Sequence, residues 1–289
     1  MQLCCKVAII ASNMLPSIKY PNQKPPFPIV LLHSSMSSKS QWNRLIKRLD
    51  PQFQTIAIDL HGYGQVPMPN NALTFSLSDE IDLVHSIIDQ HIDKNAPFHL
   101  IGHSYGGAIA LRLALEQHNR ISSLALYEPV AFYLLNSKEA AYQEITSVIS
   151  RIDNDIKQNP RAATQVFIDY WSGSGTFIDM LENVQAALIE KIQKVRLDFQ
   201  ALLADRLQLA DLHKLDIPVC LLSSRESPFS TRRIVELLSQ TLPHINCHQV
   251  SGGHMAPITH ATEVNNILAD FIHWVNKTGT SKTPLIQPS

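Results

Sequence analysis

The sequence predicts an α/β protein with a mostly parallel central sheet, helices covering both sheet faces, and a helical insertion. Short apolar runs alternate with helix-length periodic segments through the first 130 residues. The alternation stops over about 131–213, where every pattern is helical, and resumes from 214. Strands separated by helices imply parallel pairing with both faces buried. The core is therefore assigned to 1–130 and 214–289, and the insertion to 131–213.

The elements follow in order. PIVLLH at 28–33 reads as a buried strand, and 40–49 sets Trp42, Leu45, Ile46 and Leu49 on one helical face. QTIAID at 54–59 is a second strand. Over 78–92, Ile81, Val84, Ile88 and Ile92 recur at helical spacing, with Ser78 as the expected N-cap. FHLIG at 98–102 is a third strand, 105–118 an Ala- and Leu-rich helix, and SLALY at 123–127 a fourth strand. After the insertion come a strand at 217–222, a helix at 231–242, a strand at 246–250 and a helix at 262–275. The polar, Pro-bearing tail at 278–289 is expected to be loosely held.

The charge balance narrows the function. Lys and Arg number 24 against 25 Asp and Glu in 289 residues, a net charge of −1. Neither a nucleic acid nor an anionic membrane selects so balanced a chain. The longest apolar runs fall short of a membrane span. The start, MQLCCKVAII, lacks the basic segment and long apolar core of a secretory leader. Cys4, Cys5, Cys220 and Cys247 have no metal-ligand spacing. Cys220 and Cys247 lie in strand-like runs and are expected as buried free thiols, which points to a reducing, cytoplasmic compartment. No metal and no organic cofactor is implied. The expected partner is a small molecule.

GHSYGG at 102–107 contains Gly-x-Ser-x-Gly, placed directly after an apolar strand and at the start of a helix. That context is what a nucleophile elbow needs: a strained strand-to-helix turn exposes Ser104, and small neighbours at Gly102 and Gly106 avoid collisions. The helix amino terminus adds partial positive charge where an oxygen becomes negative. A serine hydroxyl needs a base. Among 13 histidines, His254 alone stands on a Gly-rich loop after a carboxyl-terminal strand, within VSGGHMAP at 250–257. His103 should point away from the nucleophile, and His33, His61, His99 and His248 read as satisfied structural residues.

The base in turn needs a carboxylate to fix its tautomer. The loop after the strand at 217–222 reads SSRESPF, with Ser227 where an Asp is expected and Glu226 beside it. The alternative is Glu128, which ends the strand at 123–127. Glu128 is favoured for its place at the sheet edge, and Glu226 is the runner-up.

Taken together, these features resemble the α/β-hydrolase superfamily with a helical lid, over about 28–275. The resemblance is carried by His33-Ser-Ser with Trp42 nine residues on, DLHGYG at 59–64, GHSYGG at 102–107, the insertion, and Gly253-His254 with Pro257. It implies an oxyanion hole formed by the backbone N–H groups of Ser35 and Tyr105. Ser34 departs from the family, which usually has Gly there, and Ser227 departs at the acid position. Dehalogenases and epoxide hydrolases of this fold attack with Asp, so Ser104 argues against both. The Gly-rich signature of the carbon–carbon bond hydrolases is missing near His33.

Phe132, Tyr133 and Trp171 are the candidate substrate-pocket residues, with packing between lid helices the favoured competing reading, because aromatic clusters mostly serve as core. The expected activity is hydrolysis of a small carboxylic ester or thioester through an acyl-enzyme. The alternatives are a non-catalytic small-ligand-binding protein on the same fold, prompted by Ser34 and Ser227, and a perhydrolase or lyase reusing the same residues.

Overall fold

A computed structural model describes residues 26–278. Six strands form one sheet among these residues, in the order β2-β1-β3-β4-β5-β6: β1 Ile29–Leu32, β2 Thr55–Ile58, β3 Phe98–His103, β4 Ile121–Tyr127, β5 Val219–Ser223 and β6 Ile245–Gln249. Every neighbouring pair is parallel. Alternate residues of β1 serve opposite faces, as the pleat requires. Ile29 and Leu31 join one core with Trp42, Leu45, Leu268 and Ile272. Val30 and Leu32 join the other with Ile81, Val84, Ile109 and Leu113.

The helices sort accordingly. The first face is covered by α1 (Asn43–Arg48), which follows a 3-10 turn at Lys39–Trp42, and by α10 (Ala261–Thr278). The second is covered by α2 (Leu77–His91), α3 (Tyr105–Glu116) and α8 (Phe229–Thr241). Between β4 and β5 lie α4 (Ala140–Asp155), α5 (Pro160–Ser172), α6 (Glu182–Ile189) and α7 (Ile192–Ala204), flanked by 3-10 turns at Phe132–Leu134 and Leu209–Lys214. Their buried residues Ile145, Phe167, Val195 and Leu202 continue the second core. A short helix, α9 (Ala256–Thr259), precedes α10.

Several expectations change. The N-cap of α2 is Ser76, not Ser78: the Asp79 carboxylate accepts from both the N–H and the hydroxyl of Ser76, each at 2.8 Å. Cys220 is buried but Cys247 is exposed, because β6 is an edge strand with solvent beside it. The histidine ring of His99 meets Ser123 Oγ through Nδ1 at 2.8 Å, while its buried Nε2 has no partner among the described residues. The segment MQLCCKVAII with Cys4 and Cys5, and the tail beyond Thr278, lie outside the described residues. No described helix is long and apolar enough to cross a membrane.

Strand order fixes where a ligand can bind. From β1 the chain steps to β2 on one side, whereas from β3 it steps to β4 on the other. The loops after β1 and β3 therefore diverge, and a crevice opens between them at the carboxyl ends of the strands.

Candidate active site

Ser104 stands directly after β3 with φ 55° and ψ −117°. This backbone is available only if its neighbours are small. A Cβ on Gly102 would come within 2.4 Å of the Gly106 carbonyl oxygen, and one on Gly106 within 2.5 Å of the His33 carbonyl oxygen. The Gly106 N–H bonds that same His33 oxygen at 3.1 Å, locking the elbow to the end of β1. Among the described residues, the non-glycine positions with positive φ are Met36, Ser104 and Glu128. All three follow the carboxyl ends of neighbouring strands, β1, β3 and β4. Such strain costs about 1–3 kcal/mol per residue and collects at functional sites.

The structure brings Ser104, His254 and Glu128 together. His254 Nε2 lies 2.9 Å from Ser104 Oγ, and His254 Nδ1 lies 2.8 Å from Glu128 Oε2. With Nδ1–H donating to the carboxylate, Nε2 is left to accept the serine proton. Glu128 is fully buried, and its other oxygen accepts the Ser224 N–H at 2.6 Å, so the carboxylate is fixed at both ends. Glu226 is exposed in the loop after β5 and makes no bond to the imidazole. The histidine loop is clamped from three sides. Tyr127 OH donates to the Gly253 carbonyl at 2.7 Å, His103 Nε2–H to the His254 carbonyl at 2.9 Å, and the Gly253 N–H to Ser224 Oγ at 3.2 Å.

His103 turns away from the cavity, as expected. Burial holds its pKa well below the ordinary imidazole value, so it stays neutral. Its Nδ1 accepts from Gln41 Nε2 at 3.1 Å, and Gln41 Oε1 accepts the Ser34 N–H at 3.2 Å and the Ser34 hydroxyl at 3.0 Å. The side chain at Ser34 is thus spent on Gln41. His33 lies beneath, donating from Nδ1 to the Ser34 carbonyl and accepting the Leu60 N–H, and burial lowers its pKa to about 4. Tyr105 opens α3, so its N–H has no intrahelical acceptor.

Above Ser104 lies a cavity of about 880 Å³, lined by Ser35, Phe167, Trp171, Met180, Leu188 and His254 among others. Trp171, from α5, lies over the imidazole with ring centroids 4.2 Å apart and planes 31° from parallel. Phe132 and Tyr133 do not line this cavity. Phe132 is fully buried and stacks on Phe199, and the Tyr133 ring packs into the core with its hydroxyl near the Ala108 carbonyl. They follow β4 closely, but their short 3-10 turn faces the rings inward, under the helices.

Sequence reasoning missed one cluster altogether. Lys194 and Asp198 of α7 and Glu80 of α2 form a buried ionic group: Lys194 Nζ lies 2.9 Å from Glu80 Oε1 and also bonds Asp198 Oδ1. A helix that buries apolar residues on most of its surface, as IQKVRLDFQALLA does, leaves any charge on it close to the core; that was the available signal.

Comparison with known proteins agrees with this architecture. A model of the alpha/beta hydrolase family matches residues 29–267. Abhydrolase domain-containing protein abhd-5.2 of Caenorhabditis elegans is 34% identical over 52% of this chain, and the match spans 34% of that protein's length. Probable lysophospholipase BODYGUARD 4 of Arabidopsis thaliana is 30% identical over 40% of this chain and 28% of its own length. The pimeloyl-[acyl-carrier protein] methyl ester esterase of Legionella pneumophila is 25% identical over 85% of this chain and 95% of its own. Among solved structures, MenH from S. aureus superposes with a TM-score of 0.71 at 18% identity, covering 89% of this chain and 97% of that one. At that identity the likeness concerns the fold.

Proposed function

This chain belongs to the alpha/beta hydrolase family, and from that premise we propose that it is a serine hydrolase, cleaving a small carboxylic ester or thioester through an acyl-enzyme. The observation that carries the reading is the unbroken hydrogen-bond chain from Ser104 Oγ through His254 to Glu128, opening on a largely apolar cavity.

The steps follow from the geometry. Ser104 Oγ attacks the substrate carbonyl carbon while its proton passes to His254 Nε2. Glu128, facing Nδ1, stabilises the imidazolium. The N–H groups of Ser35 and Tyr105 stabilise the oxyanion, a contribution of about 3 kcal/mol per donor. The tetrahedral adduct expels the alcohol or thiol, which takes the proton from His254. Water, deprotonated by the same imidazole, then releases the acid and restores the serine. Residues 131–213 act as the lid: Trp171 closes one side of the imidazole and, with Phe167 and Met180, supplies apolar surface for an acyl chain. The ester chemistry is that printed for the Legionella and Arabidopsis relatives, carried here as a class and not as a substrate.

A fluorophosphonate probe tests the reading. One equivalent should attach to the wild-type protein and none to Ser104→Ala, whose turnover of an activated ester should drop by about 10⁶-fold. Folded wild-type protein that takes up no probe would overturn the proposal.

A further inference from the structure

The oxyanion donors are a backbone matter, yet the side chains of the same two residues end on one ionic node. Ser35 Oγ donates to Asp198 Oδ2 at 2.6 Å, and Tyr105 OH donates to Glu80 Oε1 at 3.3 Å. Lys194 joins these two carboxylates. Tyr63 OH donates to Asp198 Oδ2 at 2.6 Å, and the His61 N–H to Glu80 Oε2 at 3.1 Å. The ammonium lies 4.8–4.9 Å from the ring centroids of Tyr63, Phe75 and Tyr105. Five separate segments therefore meet at this node: the loop after β1, the loop after β2, α2, the start of α3, and α7.

Stability does not explain such a node. Burying ions is expensive, and apolar replacements of buried ionic groups are often neutral or stabilising. What a node of this kind supplies is fixed geometry, because Glu80 Oε1 and Oε2 and Asp198 Oδ2 are all bonded by donors from other segments of the chain. Two of these donors belong to Ser35 and Tyr105, the residues whose N–H groups are proposed above to hold the oxyanion, and an error of about 1 Å in such a group can lower a rate by about 100-fold.

We propose that Asp198 and Lys194, on the helical insertion, are positioning residues that hold the oxyanion segments at Ser35 and Tyr105 in their working geometry. The proposal rests on the reading of Ser104 as nucleophile. Its consequence is that α7 contributes to the transition state without touching substrate, so completeness of the oxyanion site depends on docking of the insertion.

The test uses the full chain and an activated p-nitrophenyl ester. Ser35→Ala and Asp198→Asn should each lower kcat about tenfold, a part of what loss of a whole donor removes, while KM stays within twofold. A boronate transition-state analogue should weaken by the same factor. The double variant should be no slower than the slower single variant, since both remove one contact, and Ser35→Thr, which keeps the hydroxyl, should retain most of the rate. Folded single variants with wild-type kcat, or a double variant whose losses multiply, would overturn the proposal. If Asp198→Asn fails to fold, the half-buried Ser35→Ala and Ser35→Thr pair decides the matter by the same kcat criterion. If the wild-type protein itself neither labels with fluorophosphonate nor turns over, the serine-hydrolase reading fails and this one with it. Active wild type with equally active variants sinks the positioning role alone.

Discussion

Two buried polar clusters meet at residues 34 and 35, and they are built on opposite plans. The Ser104–His254–Glu128 chain is linear, with one hydrogen bond per step, and its far end opens on a cavity. The Glu80–Lys194–Asp198 node is closed: Lys194 and Glu80 are fully buried, and donors arrive from all sides. A group that must pass a proton needs a neutral, directional partner and an opening. A group that must hold segments in place needs opposite charges and no opening. Net burial is similar in the two, so what sets them apart is connectivity.

The comparison breaks most sharply at Glu128. Glu128→Gln should keep the fold yet lower turnover of an activated ester by about 10⁴-fold, whereas Glu226→Gln should stay near wild type. If only the second variant loses turnover, the acid is Glu226 and the linear cluster has been misdrawn. Next in size is Lys194→Met, which strands two carboxylates and should cost about 3–5 kcal/mol of unfolding free energy in urea titrations. A variant as stable as the wild type would show the node to be dispensable to the fold. Adding Glu80→Gln and Asp198→Asn to it should recover part of the stability, because no unpaired charge remains.

The pH dependence separates the clusters at a smaller scale. Burial lowers His33 and His99 from 6.5 to about 4. An imidazole that is harder to protonate in the folded state contributes stability that is complete above pH 6.5 and is lost as pH falls towards 4, about 3 kcal/mol for each ring. Lys194 behaves oppositely. The carboxylates of Asp198 and Glu80 hold its pKa above 10.5, so its contribution is complete below pH 10.5 and is lost above it. Acid should thus undermine the sheet and the carboxyl end of β1, and alkali the ionic node. Urea midpoints at pH 7.5, 6 and 5 should fall steadily, and His99→Leu should flatten the fall. A midpoint that does not change with pH over that range contradicts the assignment.

The sheet was legible because its strands bury both faces: IVLL, FHLIGH and ISSLALY are apolar enough to read as strands whatever their partners. The turn at Ser104 and the loop that carries His254 were legible because each is a short Gly-rich segment after a strand. Glu128 was favoured on its place at a strand end, and the structure sets it against the imidazole. What failed depended on side-chain direction or distance along the chain. Ser76 carries the better capping signal, a carboxylate three residues on at Asp79, but Ser78 lies nearer the apolar repeat. Phe132 and Tyr133 occupy the right stretch with rings facing the wrong way. Lys194 meets Glu80 across 114 residues, and no periodicity registers such a pairing.

The insertion leaves after β4 and returns before β5, and these strands are hydrogen-bonded neighbours. Grafting a shorter or foreign connection between them would leave every strand register intact. It would also remove the only ammonium that Glu80 meets within hydrogen-bonding reach among the described residues. A chimaera that exchanges this segment must therefore bring its own cation for α2, or neutralise Glu80, before the effect of the exchange can be read at all.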